Sequence, residues 1–164
     1  MDFNSKEVKK LSGKSVPALI KIATAHFNRW VRERDRNKGC ISCSNGKVEQ
    51  AGHFYSGGHH AGLRFNPDNV TGQCVRCNHF LSGNLIHYRQ GLVKRIGEAR
   101  VEDLDNIAAY FKRTGYKWSR IMLIEVILKY KALAKSEKSC KSKKSEKSCK
   151  SKTLDFLTHQ TKTI

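Results

Sequence analysis

Acidic residues are scarce in this chain: 14 Asp and Glu stand against 32 Lys and Arg, a formal charge of +18 over 164 residues. That imbalance makes an anionic polymer the natural partner, DNA or RNA first, although solubility follows from charge too and charge alone names no activity. Long apolar runs are also missing. None follows the N-terminal lysines of "MDFNSKEVKKLSGKSVPALIKIATAHF", which excludes a secretory-signal pattern. The longest apolar stretch, "IMLIEVILKY" at 121–130, contains Glu125 and is too short to cross a bilayer. These absences predict a protein that stays in the cytoplasm with no membrane partner. A reducing compartment disfavours a disulfide framework, and four of the six cysteines come as two Cys-x-x-Cys pairs, the pattern of a zinc site.

The hydrophobic content of 38% suits one globular domain with a modest core and a tail. Residues 1–14 are polar and Lys-rich and read as a flexible basic N-terminus. From the capping residue Ser15, with Pro17 in the first turn, Ile20, Ala23, Phe27, Trp30 and Val31 recur at helical spacing to about Arg36. The opposite face carries Lys21, Arg29, Arg32, Arg34 and Arg36, a row that suits phosphates or simple solvation. Residues 39–83, rich in Gly, Asn and Cys, offer little to bury, so metal binding is expected to supply their folding free energy.

Helical periodicity returns after Gly83 with Leu85, Ile86, Leu92, Val93 and Ile96, ending at Gly97. A second helix is expected over "VEDLDNIAAYFKRTG", acidic in its first turn, basic in its last and stopped by Gly115. A third, from Trp118 to about Lys135, would bury Ile121, Leu123, Ile124, Ile127, Leu128 and Leu133 on the other helices or in a dimer contact. Residues 15–133 therefore form the expected domain. From 134 to 164 the composition predicts a disordered Lys/Ser-rich tail, in which "SEKSCKSK" occurs at 136–143 and again at 145–152. Cys140 and Cys149 belong to that repeat and read as incidental, and "LDFLTHQTKTI" as a short docking segment at most.

Cys40 and Cys43 in "GCISCSNG" and Cys74 and Cys77 in "GQCVRCN" give four thiolates whose paired spacing aims two sulfurs at one ion from each tight turn. A closed all-thiolate site leaves no open position for substrate, so this zinc is read as structural. Chemistry must come from elsewhere, and the gap between the pairs is long enough to hold it. Within "QAGHFYSGGHHAGLRFNPDNVTGQCVRCN", His53 follows a strand-like run, Asn69 comes 16 later and Asn78 nine after that. Each has a structural alternative: His53 as a hydrogen-bonded strand residue, Asn69 as turn chemistry after Pro67, Asn78 as a helix cap. His59 and His60 lie on a Gly-rich loop that reads as solvated.

These residues resemble the HNH, or ββα-metal, nucleases, in which a His ends the first strand, an Asn sits in the loop or second strand, and a His or Asn opens the helix. The fuller set of "CISC", "AGHF", "LRFNPDNV", "QCVRCN" and "SGNLIHYRQGLVKRIG", with "HFNRWVRERDRNKGCISC" leading in, resembles the NinG or Rap family of bacteriophage recombination endonucleases. The resemblance spans about residues 17–100 and, more loosely, to 133. It implies an α+β fold: a small zinc-braced ββα-metal module at about 39–84, packed with flanking α-helices. It also implies a nuclease acting on branched recombination intermediates such as Holliday junctions and D-loops.

Phosphodiester hydrolysis needs a base for water, a cation against the growing charge, and in-line geometry. His53 is the candidate base, because a neutral imidazole takes a proton near pH 7. Asn69 is expected to orient that imidazole or pin the loop. The resemblance would put an acid before His53, yet Gly52 stands there, so one ligand for the catalytic Mg2+ or Mn2+ is missing. Asn78, with His53, His79 and His87, forms the remaining candidate ligand set for that ion. Arg64, Arg76, Arg89, Lys94 and Arg95, with Arg29, Arg32 and Arg36, are the candidate DNA contacts. Where this chain has Leu81 the family has a Lys, which implies a lost basic contact.

The expected function is a metal-dependent endonuclease on branched DNA in a bacterial host's cytoplasm. Phage or host recombination proteins are possible partners, and a homodimer is expected because paired cuts need two active sites. The rival expectation, motivated by Gly52, is a zinc-dependent DNA-binding or recombinase-recruiting protein without catalysis.

Overall fold

The computed structural model describes residues 5–142, with side chains as far as Ala134. The chain divides after Ala134. Of the second unit, the backbone of 135–142 is described; the rest of the expected tail, with the second repeat and Cys149, lies outside the described residues, as does the side chain of Cys140. The first unit is α+β, mostly helical around one two-stranded antiparallel sheet.

Helix α1, Ser5–Ser12, stands where composition predicted a loose N-terminus. Its lysines mask a short apolar pair, Val8 and Leu11, three residues apart, and Leu11 is buried. Glu7 ties the helix to Lys131 through a salt bridge. Helix α2, Val16–Asp35, begins as expected: the Ser15 hydroxyl accepts from the Ala18 N–H at 3.4 Å, and Pro17 lies in the first turn. Leu19, Ala23, Phe27 and Val31 are its buried stripe, while Ile20 and Trp30 pack at the margin. Phe27 meets Phe65 and Tyr130 edge to face at 5.6 and 4.7 Å. Fully burying such an aromatic stabilises by about 1.5–3 kcal/mol.

Strands β1, Gln50–His53, and β2, Val70–Gln73, pair antiparallel with His53 opposite Val70 and Gln50 opposite Gln73. Two four-residue strands do not hold themselves together in water, and two buried polar side chains anchor them. Asp35, at the end of α2, accepts from the Gly72 N–H at 2.9 Å and is matched by Arg34 at 2.6 Å and Lys38 at 3.1 Å. Arg34 reaches on to the carbonyls of Pro67 and Val70. The expected basic face of α2 is thus partly internal: Arg34 braces the sheet, Arg36 pairs with Glu33, and Arg29 is exposed.

The second anchor is Tyr88 of helix α3, Leu85–Ile96, fully buried. Its hydroxyl donates to the Gly52 carbonyl at 2.8 Å and accepts from the Thr71 N–H at 3.0 Å, so it joins both strands. Around it, Ile41, Leu63, Leu92, Val101, Leu104 and Ala108 form a second core with helix α4, Glu98–Thr114. Helix α5, Arg120–Ser142, buries Leu123, Ile124, Ile127 and Leu128 against α2.

Three expected core positions are not core. Leu85 and Ile86 are 48% and 76% exposed and Ile121 is 72% exposed. The α3 stripe is set by Tyr88 and Leu92: Ile86 lies on the opposite face, and Leu85, though in line with the stripe, is the first residue of the helix and stands exposed ahead of the packed part. Helix α5 runs on through Ser142, so the first Lys/Ser repeat begins in helix, where composition alone predicted disorder. Among the described residues, no helix is long and apolar enough to cross a membrane.

Candidate functional site

The four cysteines converge. Their Sγ atoms all lie within 4.8 Å of one another, and Cys43 and Cys74 are 3.8 Å apart. Tetrahedral zinc with Zn–S near 2.3 Å sets its sulfurs about 3.8 Å apart, so donor type, number and spacing fit the ion. Two knuckles build the cluster. In the first, Cys40 N–H donates to Gly46 O and Ser44 N–H to Cys40 O, both 2.8 Å. Gly46 is needed because a Cβ there would lie 2.8 Å from Cys74 Sγ and 3.1 Å from Cys43 Sγ. In the second, the Cys77 N–H and the Asn84 amide point at sulfur, 3.4 and 3.5 Å away. Burial opposes ionisation of Cys40, but backbone hydrogen bonds from Cys74, Cys43 and Ser42 outweigh it and bring the thiol down to about 7.

His53 closes β1 and is half-buried. Its Nε2 lies 3.0 Å from the Arg64 carbonyl oxygen. A carbonyl only accepts, so Nε2 carries the hydrogen and the neutral ring presents Nδ1 as a bare lone pair. Burial lowers the pKa of His53; the carbonyl contact opposes that and the Arg64 charge adds to it. The ring is therefore neutral at pH 7. Arg64 packs beside it, and its Nε is buried without a hydrogen-bond partner.

Asn69, fully buried, stands directly before β2. Its Oδ1 accepts from the Tyr55 N–H at 2.7 Å, and Nδ2 donates to the carbonyls of Tyr55 and Leu63 at 2.9 and 3.0 Å. It pins both ends of the loop that carries His53's carbonyl partner. Of the two roles expected for it, the geometry gives loop-pinning, and its hydrogen bonds go to backbone rather than to the imidazole.

Asn78 lies in a π-helical turn, Arg76–Phe80, between the second knuckle and α3. Its Nδ2 donates to Gln50 Oε1 at 2.6 Å, which turns Oδ1 toward Gly52. A Cβ on Gly52 would sit 3.0 Å from that Oδ1 and 1.8 Å from Oε1 of Gln73. The space an acid would need is thus filled by Gln73. That fully buried side chain donates to Ser42 Oγ and the Gly83 carbonyl at 2.7 and 2.8 Å, which fixes its orientation and leaves Oε1 without a partner. Gln73 links the zinc knuckle to the strand that bears His53. Sequence reasoning missed it, as it missed Asp35 and Tyr88, because no local pattern marks these polar side chains as buried.

Gln73 Oε1 and Asn78 Oδ1 are hard, uncharged oxygens of the kind Mg2+ and Mn2+ take. The other candidate ligands are not gathered there. His87 Nδ1 lies 2.8 Å from Asn84 Oδ1, and His79 rests edge-on against Phe80. Among the described residues, the four cysteines are the only close group of three or more His, Cys, Asp or Glu ligand atoms. His60 packs on Tyr55 at 5.0 Å, and His59 is exposed.

Several expected DNA contacts are engaged internally. Arg89 pairs with Asp105 at 2.8 Å, and Arg95 reaches toward Asp35 and the carbonyls of Lys38 and Gly39. Arg29, Arg76 and Lys94 are exposed, and Arg32 and Arg64 are half-buried.

A cluster of four cysteines able to hold a metal ion such as zinc, beside a two-stranded sheet in a basic and mostly helical chain, defines an α+β protein with a candidate metal clip. The profile described as "Bacteriophage Lambda NinG protein" matches residues 2–142, and the chain belongs to that family. It is 40% identical over 102 residues to protein ninG of Escherichia phage lambda, covering 61% of this chain and 50% of that one. Protein ninG of Salmonella phage P22 gives the same identity and coverage, and that of Escherichia phage 933W is 39% identical over 102 residues, covering 61% and 51%. The chain spans about half the length of these relatives. No solved structure matches it.

Proposed function

We propose that the protein is a metal-dependent, structure-selective DNA endonuclease that cleaves branched recombination intermediates, Holliday junctions and D-loops, in the cytoplasm of a bacterial host. The observation that supports it most is the neutral His53 imidazole, with Nε2 committed to the Arg64 carbonyl and Nδ1 left bare.

Water attacks phosphorus as His53 Nδ1 takes its proton, the scissile P–O bond breaks, and solvent protonates the leaving oxygen. Arg64, beside the ring, would counter charge that grows on the phosphate. Asn69 keeps the loop, and so the carbonyl that orients His53, in place. Asn78, through its Oδ1, is the residue that would hold a divalent ion near His53, and such an ion would supply further charge neutralisation. The four cysteines would hold zinc, which would brace the fold. Exposed Arg29, Arg76 and Lys94 track phosphates, and two protomers serve the two strands cut in a junction.

A second reading, a branched-DNA-binding protein without catalysis, is favoured by one observation: Gln73 fills the space beside Gly52 where an acidic ligand would stand. Cleavage of labelled four-way junction, D-loop and linear duplex with Mg2+, Mn2+ or neither decides between them. Ion-dependent cutting of the branched substrates by wild type, lost in His53→Ala, supports the nuclease. Tight junction binding with no cutting in either ion supports the binder.

A further inference from the structure

Four large apolar side chains stand in solvent on one short segment: Phe80, Leu81, Leu85 and Ile86 are 73%, 46%, 48% and 76% exposed. The backbone that presents them is tightly fixed. Between the two pairs, Ser82, Gly83 and Asn84 all have positive φ, at 47°, 89° and 47°, and Asn84 N–H closes the turn on Leu81 O at 2.8 Å. The turn is tied to the metal clip, because Gly83 N–H donates to Cys77 O at 2.9 Å and Gly83 O accepts from Gln73 at 2.8 Å. Exposed hydrophobes on a mobile loop can turn inward; these, mounted on the clip, cannot.

The surroundings decide the occupant. No acidic residue occurs between Asp68 and Glu98, while Arg76, His79, His87 and Lys94 in that stretch are exposed. A second copy of this chain would set Arg76 and Lys94 against their own counterparts, and the +18 net charge adds to the repulsion. A partner with apolar faces and dense negative charge fits. Nucleobases inside a continuous duplex are stacked and withheld, whereas those at a branch or strand end offer a free face.

We propose that Phe80, with Leu81, Leu85 and Ile86 around it, stacks on unstacked bases where a duplex is interrupted, and that this surface gives the protein its preference for branched over linear DNA. The inference rests on the proposed action on DNA but not on catalysis. Asn78, two residues before Phe80, would place the cut close to the discontinuity.

The test is binding by the full-length, zinc-loaded chain without Mg2+ or Mn2+, so that a failure to cut and a failure to stack are read separately. A four-way junction and a matched linear duplex each carry a fluorescent adenine analogue, at the branch in the first and at mid-helix in the second. Wild type should change the analogue's emission in the junction alone. Phe80→Ala and Ile86→Ala should abolish that change and lower junction affinity about tenfold or more, with duplex affinity unchanged. Because both side chains are exposed, zinc content and circular dichroism should stay as in wild type. Equal losses on junction and duplex, an unchanged emission response in Phe80→Ala, or conversion of a wild-type dimer to monomer by Phe80→Ala in sedimentation would each overturn the proposal.

Discussion

The imidazole Nε2 of His53 lies 3.0 Å from the main-chain carbonyl of Arg64, and that contact fixes which nitrogen can take a proton. Burial, chiefly, holds the ring's pKa below its ordinary value, so the base is already neutral at pH 7 and stays so into mildly acidic solution. Cleavage should be flat above about pH 6.5 and fall only below it. The sign for stability is the same. Folding disfavours the charged ring, so the contribution of His53 is present above the unfolded pKa of about 6.5 and is lost as pH falls through the lower folded value. Melting temperatures at pH 7.5 and 5.5 should therefore differ more for wild type than for His53→Ala.

Restoring an acid beside His53 should fail. A Cβ at Gly52 would lie 1.8 Å from Gln73 Oε1, so Gly52→Asp must expel a buried, doubly hydrogen-bonded side chain. We expect a loss of about 2–4 kcal/mol in urea denaturation and no gain in metal affinity. Adding Gln73→Ser should recover part of that loss, a non-additivity expected only if the two residues contend for one space.

Asn69→Ala should behave as a loop lesion. It leaves the Tyr55 N–H and the Tyr55 and Leu63 carbonyls unpaired inside the protein, at a cost of about 2–4 kcal/mol. The midpoint of the pH–rate profile should stay with that of wild type, because no Asn69 hydrogen bond reaches the imidazole. A displaced midpoint would make Asn69 a direct partner of His53.

Removing the metal should unfold the centre of the protein. Cys77→Ser, or a strong zinc chelator, should abolish the bound ion, measured as about one per chain by native mass spectrometry. Near-UV circular dichroism should collapse with it, since structural zinc contributes on the order of 10 kcal/mol to such modules.

Asp35→Asn tests the anchor between α2 and β2. The variant removes the charge that Arg34 and Lys38 match, so about 3–5 kcal/mol should be lost near neutrality. Burial raises the carboxyl's pKa, but the Arg34 hydrogen bond and the nearby charges lower it further, leaving it below the usual value. Its stabilisation is thus present above about pH 4 and lost as pH falls through the folded value, and the stability difference from Asp35→Asn should shrink on acidification.

What the sequence made legible follows from how each feature is encoded. The long helices are written in spaced apolar residues with caps at their ends, and α2 and α4 lie close to where Ser15 and Gly115 place their limits. The four-cysteine cluster is written in ligand type and spacing, which hardly depend on the rest of the fold. Helix α1 stayed hidden because two apolar residues among lysines make no stripe until α5 supplies Lys131 for Glu7. The face of α3 was misread because the periodicity was drawn through Leu85 and Ile86 and passed over Tyr88, which the sheet accepts as its hydrogen-bonding anchor. Asp35 and Gln73 look like surface residues in sequence. Only the crossing of α2 and the knuckle over β2 buries them. His53, Asn69 and Asn78 were singled out by their spacing and by the family resemblance, and the backbone contacts that hold His53 and Asn69, with Arg64 and Tyr55 above all, come from tertiary structure.

The central claim is that His53 makes this chain a nuclease, and single-turnover cleavage of a labelled four-way junction by saturating, zinc-loaded wild type and His53→Ala in Mn2+ tests it most directly. Wild type should cut, and the variant should cut at least about 100-fold more slowly, with junction affinity and zinc content unchanged. Equal rates for the two proteins, or a junction bound by wild type and left whole, would contradict it.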